Sequence, residues 1–268
     1  MKQTIIQVDA FTDRPFQGNP AAVCVLESPQ DEQWMQSIAQ EMNLSETAFL
    51  LKQEQQDQSY RLRWFTPTTE VPLCGHATLA SAHVLWTEGY ASTGQSIQFA
   101  TESGVLTARY QDDWIELDFP VNRSQDIPPI TKLGDALGVP LKTVSYNSLG
   151  YLVEVATAQQ VEKLQPNFTL LKQLPISKVI VTSKGESDSP YDFVSRFFAP
   201  GVGIDEDPVT GSAHCCLAPY WRERLNQDQF LAYQASPRGG IVKVHYDGGD
   251  RVLLQGQAVT VLRGELLT

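Results

Sequence analysis

The chain has 268 residues, enough for one large domain or two of medium size, because a single hydrophobic core stops growing at roughly 250 to 300 residues. Its 42% hydrophobic and 19% charged residues are typical of globular proteins and predict no disordered stretch. Acidic residues outnumber basic ones by 31 to 20, and the net charge of −11 argues against a nucleic acid or a membrane as partner.

The first predicted elements are two strands, a helix and a third strand. β-Branched residues favour a strand at 4–9, and a short apolar strand at 21–26 follows a turn that carries Pro and Gly. Ser28 is the expected cap of the helix, Asn43 is its expected end, and the next strand spans 46–52. The apolar stripe of this helix consists of Trp34, Met35, Ile38, Ala39 and Met42.

A second helix is predicted to begin at Cys74-Gly75-His76 and to end near Gly89. It carries no Asp, Glu, Lys or Arg between 77 and 86, so it should be buried on all sides, as a helix wrapped by a β-sheet would be. Strands that could form this wrapper are predicted at 60–66, 96–101, 105–110 and 114–119.

The two halves of the chain align weakly at a nearly constant offset of 132 to 133 residues. The matched segments are Gly18 with Gly150, Thr47-Ala48-Phe49 with Val179-Ile180-Val181, and Phe65-Thr66-Pro67 with Phe198-Ala199-Pro200. The last pair leads in each half to a glycine-headed helix, and the second of these begins near Thr210-Gly211-Ser212. We infer two structurally duplicated domains, joined around residues 120–129.

Candidate functional residues stand at the two glycine-headed helix ends, whose unpaired N–H groups and partial positive charge suit a small carboxylate. Cys74 and His76 lie at the first end, and Asp207, Ser212 and His214 lie at the second. These residue types exchange protons or orient a carboxylate. Each also has an ordinary explanation, since the cysteine could be core, the serine a cap and the aspartate a surface charge.

Glu46 is the third candidate, because it stands at the mouth of an apolar strand. Burial there would disfavour the charged carboxylate and raise its pKa, so that the group could act as base and then as acid near neutral pH. The ordinary alternative is a solvated residue at a strand edge.

Sulfur and imidazole ligands for a metal are present in Cys74-x-His76 and in His214-Cys215-Cys216. Their spacing does not match the two to four residues that usually separate the cysteines of a zinc site, so no metal is predicted. The chain has no Walker loop, no GxGxxG and no GxSxG, and no cofactor is predicted. Four cysteines without a disulfide spacing, and apolar runs far below the roughly 18 residues of a membrane span, predict a cytoplasmic protein.

Four motifs stand in the order and spacing of one known family: Gly18-Asn19-Pro20, Asn43-Leu44-Ser45-Glu46-Thr47, Cys74-Gly75-His76-Ala77-Thr78 and Glu206-Asp207-Pro208-Val209-Thr210-Gly211-Ser212-Ala213. Over essentially its whole length the chain resembles the phenazine-biosynthesis PhzF family. The resemblance implies an α+β fold similar to diaminopimelate epimerase, with two pseudo-symmetric domains, each a barrel-like mixed β-sheet around a central helix. We expect domains at 1–120 and 130–260, with about 260–268 returning to the first and the active site in the cleft.

The resemblance also implies roles for individual residues. Glu46 matches the family's acid/base glutamate, His76 its histidine, and Asp207 and Ser212 its second polar pair. The expected substrate-binding residues are Gly75, Gly211, Thr210, Asn19 and Cys74. The founding activity of the family is the isomerisation of a dihydro-hydroxyanthranilate without a cofactor, so we expect a small carboxylate-bearing substrate. A homodimer is expected from the family alone.

Two other function classes stay open. Epimerases and racemases of the wider superfamily use one cysteine at each helix end, and Cys74 occupies the first such position. The second end carries no cysteine, since Cys215 and Cys216 lie about one turn inside the helix, where side chains point into packing. The third class is a binding protein that kept the cleft and lost turnover.

Overall fold

The computed structural model describes residues 2–54 and 57–267, and the chain divides into two units. The first unit comprises Met1–Phe119 with Gln255–Thr268, and the second comprises Pro120–Leu254. The segment 120–129, expected to join the domains, lies within the second unit. Its short strand at Gln125–Asp126 pairs antiparallel with the strand at Thr143–Asn147.

The first unit begins with strands and two helices. In chain order these are β1 (Lys2–Ala10), β2 (Asn19–Leu26), α1 (Glu32–Met42), β3 (Glu46–Lys52), β4 (Ser59–Phe65), β5 (Glu70–Val71), α2 (Gly75–Thr87), β6 (Ile97–Thr101), β7 (Gly104–Gln111) and β8 (Trp114–Pro120). The start of α1 differs from the expectation, because Asp31 rather than Ser28 is the cap. The Asp31 carboxylate accepts the backbone N–H of Trp34 at 2.7 Å, which satisfies a donor that the helix itself cannot.

The strands of this unit lie side by side in the order β1, β2, β3, β4, β6, β7, β8, and the short β5 pairs with the end of β4. The β2–β3 and β4–β6 pairs are parallel, and the other pairs are antiparallel. A parallel pair needs a crossover connection, and α1 provides it between β2 and β3. The first residues of β2 and β3 consequently lie at the same edge of the sheet.

Both faces of this sheet are covered by helices. The helix α2 contacts β1, β2 and β3, and eleven of its thirteen residues are buried, as the absence of charged residues predicted. On the opposite face, α1 packs in a cluster with Ala22, Cys24 and Phe49. Burial on both faces explains why β2 is an unbroken apolar run rather than an alternating one.

The second unit follows a similar course. Its elements are β9 (Gln125–Asp126), α3 (Thr131–Leu137), β10 (Thr143–Asn147), β11 (Gly150–Glu154), α4 (Ala158–Glu162), α5 (Phe168–Lys172), β12 (Val179–Lys184), β13 (Phe193–Ala199), a 3-10 turn (Pro200–Val202), β14 (Ile204–Asp207), α6 (Gly211–Leu225), β15 (Gln229–Gln234), β16 (Gly240–His245) and β17 (Arg251–Gly256). The last strand, β18 (Ala258–Leu267), belongs to the first unit and pairs antiparallel with the whole of β1.

Strand pairing repeats from one unit to the other. The parallel pairs β11–β12 and β13–β15 repeat β2–β3 and β4–β6, and the antiparallel pairs β12–β13 and β13–β14 repeat β3–β4 and β4–β5. The buried part of α6, from Gly211 to Trp221, corresponds to α2. Helices α3, α4 and α5 pack in one hydrophobic cluster with residues of β10 to β13, as α1 does in the first unit. The α+β fold with two pseudo-symmetric domains is thereby confirmed.

The strand registers correct one of the sequence matches. Thr47 pairs with Phe65 and Val179 pairs with Phe198, so these two matches agree with each other. On the other side, however, Thr47 lies beside Ala22 while Val179 lies beside Tyr151. In the structure, Ala22 of β2 is therefore equivalent to Tyr151 of β11, three residues away from the alignment that matched Gly18 with Gly150. That alignment rested only on a glycine in front of an apolar strand in each half.

Candidate active site

Four of the predicted residues converge in the first unit. Asn19 is the first residue of β2 and Glu46 the first of β3, so the parallel pairing places both at one sheet edge. His76 lies in the first turn of α2 and contacts both side chains, which shows that the start of this helix meets the same edge. Cys74 is the N-cap of that helix.

The imidazole of His76 is the centre of this group. Its Nε2 lies 3.2 Å from Oε2 of Glu46, within ion-pair distance although the two groups are not aligned as a hydrogen bond. Its Nδ1 lies 3.0 Å from Nδ2 of Asn19 and 3.5 Å from Sγ of Cys74. The side chains of His76 and Glu46 are 5% and 14% exposed, so both are largely withdrawn from water.

Burial determines the charge of His76. Because the charged form is poorly solvated inside the protein, the pKa of His76 falls from 6.5 to about 3. The ring is therefore neutral at any physiological pH, and one of its nitrogens carries a proton while the other accepts.

The helix α2 begins at a glycine, as the sequence predicted. Cys74 adopts an extended conformation, and its side chain makes no capping hydrogen bond, while Gly75 is buried. Cys74 thus gives the first N–H groups of the helix no side-chain acceptor, at the end where the helix dipole is positive. Gly18 sets the start of the neighbouring strand, because its φ is +65° and a Cβ there would lie 2.2 Å from the carbonyl oxygen of Ala10.

In the second unit, Asp207 and Thr210 form the corresponding helix end. The Thr210 hydroxyl, which would ordinarily cap the helix, instead donates to Oδ2 of Asp207 at 2.5 Å. Gly211 is buried and Ser212 is half-buried at the start of α6. His214 donates its Nδ1–H to the carbonyl oxygen of Thr210 at 2.8 Å, and burial lowers the pKa of this ring to about 4.

Gln234 contacts the second helix end, and sequence reasoning missed it. It lies at the end of β15 and is fully buried, and its amide accepts the N–H of Thr210 at 2.9 Å. The same amide donates to the carbonyl oxygen of Asp207 at 2.7 Å. The sequence signal that could have revealed it is the alternation in this strand. Gln234 falls on the same face as the buried Phe230 and Ala232, where an apolar residue would be expected.

The side chains of Glu46, Cys74 and His76 could in principle hold a metal ion, because their ligand atoms all lie within 4.8 Å of one another. Glu46 and Cys74, however, approach different nitrogens of the His76 ring. One ion could not take all three without movement of a side chain. Cys215 is buried in α6, where burial raises the pKa of its thiol to about 12, so it is a poor ligand.

A duplicated mixed sheet around a central helix is the epimerase-like fold, and here a carboxylate, an imidazole and a thiol lie together at one helix end. The family model for the phenazine biosynthesis-like protein matches residues 8–264. An uncharacterized isomerase of Halalkalibacterium halodurans is 56% identical over 100% of this chain and 99% of its own. The chain therefore belongs to the phenazine biosynthesis-like, or PhzF, family.

Solved structures agree with this assignment. A crystal structure of a PhzF-family phenazine biosynthesis protein from Enterococcus faecalis superposes with a TM-score of 0.93 at 43% identity and covers 100% of both chains. A predicted epimerase from Pseudomonas aeruginosa shares the fold, with a TM-score of 0.79 at 24% identity and 99% of each chain covered. The family, the fold class and the isomerase class expected from the sequence are confirmed. Among the described residues, no helix is long and apolar enough to cross a bilayer.

Proposed function

We propose that this protein is a cofactor-independent isomerase that moves a proton on a small carboxylic acid, with Glu46 as general base and then general acid. The observation that carries the proposal is the placement of the Glu46 carboxylate. It is 14% exposed, begins a strand at the edge where α2 starts, and faces a neutral imidazole at 3.2 Å. A carboxylate that is partly withdrawn from water and still accessible suits reversible proton transfer.

His76 is less suited to carry the proton. An imidazole with a pKa of about 3 is a weak base, so at neutral pH it can donate a hydrogen bond but does not take up a proton readily. Its proposed role is to hold Glu46 or the substrate in place.

The substrate class follows from the helix ends. The uncapped start of α2 at Gly75 offers backbone N–H donors and the positive end of a dipole, which favour a carboxylate. The same proposal assigns a role to the helix end of the second unit. Its residues would bind the polar groups of the substrate; they are Asp207, Thr210, Gly211 and Ser212. The cytoplasmic location and the homodimer remain predictions.

A cysteine-dependent epimerase is the alternative, because Sγ of Cys74 stands at the helix end 3.5 Å from Nδ1 of His76. Two observations count against it. The weakly basic His76 gives little help in removing the thiol proton, and Thr210 stands at the N-cap position of α6, where Cys74 stands in α2. A two-base mechanism therefore lacks its second thiol.

The test is proton exchange with solvent. The purified protein would be incubated in heavy water with a library of small carboxylic acids, and deuterium incorporation measured by mass spectrometry. We expect Glu46→Gln to lower exchange by about 10²- to 10⁴-fold, since it removes the proton carrier and keeps the shape, with substrate affinity changed by less than about tenfold.

Cys74→Ser is the matched control and should retain exchange within about tenfold. A folded Glu46→Gln variant that exchanges at the wild-type rate would defeat the proposal. Loss of exchange in Cys74→Ser alone would favour the epimerase. Tight binding by the wild type without any exchange would favour a binding protein.

A further inference from the structure

The contact between Asn19 and His76 lies inside the first unit and out of reach of bulk water. Asn19 is 0% and His76 4% exposed. The Asn19 side-chain nitrogen, Nδ2, lies 3.0 Å from the ring nitrogen Nδ1. An amide NH₂ group can only donate a hydrogen bond, so Nδ1 must be the acceptor and carry no proton.

The position of the ring proton follows from this contact. His76 is neutral because it is buried, so a ring with an unprotonated Nδ1 has its single proton on Nε2. Nε2 is the nitrogen that lies 3.2 Å from Oε2 of Glu46. An N–H that faces a carboxylate favours its ionised form, whereas a lone pair in that place would repel it.

The backbone around Asn19 is suited to hold such a contact. Gly18 has a left-handed backbone conformation, and a side chain at this position would clash with the carbonyl oxygen of Ala10. Asn19 then starts β2, and two residues later Ala21 is paired in parallel register with Glu46. The amide donor and the carboxylate are thus both carried by adjacent paired strands, on either side of one ring.

We propose that Asn19 is a positioning residue that selects the Nε2–H tautomer of His76 and thereby keeps Glu46 ready to accept a proton. The substrate contact expected for Asn19 from the sequence stays a prediction. The first half of the proposal concerns only the ring and stands by itself, and the second half rests on the proposed function.

The experiment is NMR of the ring nitrogens in protein with ¹⁵N-labelled histidine, near pH 7. The chain has four histidines, and His76→Gln identifies the signals of His76 by their loss. We expect the wild-type ring to be protonated at Nε2. His214 serves as internal control, because its Nδ1–H is donated to the carbonyl oxygen of Thr210 and should remain on Nδ1 in every variant.

Asn19→Leu keeps the size of the side chain and removes the donor. We expect it to shift the tautomer ratio of His76 by about fivefold or more toward Nδ1–H, the factor that the loss of one net hydrogen bond gives. Cys74→Ala is the matched control, since the thiol is the other group near Nδ1, at 3.5 Å, and is only a weak donor. This variant should keep the Nε2–H tautomer.

A wild-type ring protonated at Nδ1 would overturn the inference, whether or not any variant folds. An unchanged ratio in folded Asn19→Leu would also overturn it. Glu46→Gln separates the two proposals: we expect it to keep the Nε2–H tautomer, and loss of that tautomer would show that Glu46 rather than Asn19 selects it. Failure of the proton-exchange experiment would leave the tautomer result standing and remove only its catalytic consequence.

Discussion

Two buried imidazoles stand near the two helix ends and are held in opposite ways. His76 accepts at Nδ1 from Asn19, whereas His214 donates from Nδ1 to the carbonyl oxygen of Thr210. Burial lowers the pKa of His76 to about 3 and that of His214 to about 4. Neither ring is charged at neutral pH.

Buried histidines of this kind make the fold sensitive to acid. The unfolded chain binds a proton at His214 below about pH 6.5, while the folded chain resists until about pH 4. Between these values the unfolded state binds more protons, so stability falls as the pH falls. The expected slope is up to about 1.4 kcal/mol per pH unit for each such ring.

We predict that His214→Asn reduces this slope. The Asn amide can still donate to the carbonyl of Thr210 but does not titrate, so the loss of stability between pH 6 and pH 4.5 should shrink by roughly one proton's share, about 2 kcal/mol at most. Urea unfolding at several pH values measures it. An unchanged slope would mean that His214 is protonated, or accessible to protons, in the folded state.

We also predict that the protein needs no metal ion. Glu46 and Cys74 approach different nitrogens of His76, so a shared ion would require a side chain to rearrange. Proton exchange should survive dialysis against a strong chelator, and calorimetric titration with Zn²⁺ should show no binding that Cys74→Ser removes. Tight binding of one equivalent, lost in that variant, would establish a metal site here.

The sequence predicted the members of the first helix end better than their contacts. Glu46, Cys74 and His76 are chemically distinctive residues within matched motifs, and they do converge. The role of Asn19 could not be read in this way, because the direction of an amide depends on a ring 57 residues away. Gln234 was missed because a glutamine has no local signature unless the burial of its strand face is known.

At the scale of elements, one arginine–glutamate pair braces the approach to each central helix. Arg63 binds the carboxylate of Glu70 through two contacts of 2.6 Å, and Arg196 binds that of Glu206 at 2.7 and 2.8 Å. Each arginine also stacks on the phenylalanine two residues later, at 5.1 and 5.0 Å from the ring centre. Both glutamates lie on the short strand that leads to the helix, so the pairs fix the direction of that approach.

Arg196 makes the more deeply buried of these pairs, and it also donates to the carbonyl oxygen of Leu164 at 2.7 Å. We predict that Arg196→Met lowers the free energy of unfolding by about 3 to 5 kcal/mol, because it leaves the Glu206 charge buried without its partner. Arg196→Met combined with Glu206→Leu should recover much of the loss. Urea unfolding of the single and double variants measures this.

Arg222→Met is the control for that series. Its partner Asp228 and Arg222 itself are 49% and 38% exposed, so this ion pair should contribute about 1 kcal/mol or less. An equal loss in Arg196→Met and Arg222→Met would show that burial does not set the strength of these pairs.

Most strands and both central helices were predictable from hydrophobic pattern and turn residues. The predictions failed where the sequence offers more than one residue for the same structural role. Ser28 and Asp31 are both able to cap α1, and only the contact with the N–H of Trp34 decides between them. The match of Gly18 with Gly150 failed because glycines occur before many strands, whereas register depends on pairing across the sheet.

At the scale of the whole molecule, the two units differ in how the chain builds them. The second is one continuous segment, Pro120–Leu254, while the first needs a strand from the far end of the sequence. The resemblance to a known family was needed to expect this return, because hydrophobic pattern alone does not tell which strand pairs with which. The pairing of β18 extends along all nine residues of β1.

We predict that a fragment of residues 120–254 folds alone, whereas removal of 258–268 from the chain disrupts the first unit. Without β18 the strand β1 would keep an open edge of unpaired N–H and C=O groups. Amide hydrogen exchange followed by mass spectrometry should then show loss of protection in β1 and β2 and retained protection in β12 and β13. Equal protection of both units in the truncated chain would contradict this.

Because β18 follows the second unit in the chain, the two units should fold in a fixed order during translation. During translation the strand β1 appears first, but its partner is made about 250 residues later, after the continuous second unit has emerged complete. A nascent chain should therefore fold its second unit first and carry an incomplete first unit with an exposed strand edge, which is a hazard for misassembly on crowded polysomes. Glu46 and His76 belong to that late unit, so the proposed proton-transfer centre should be complete only after β18 has been made.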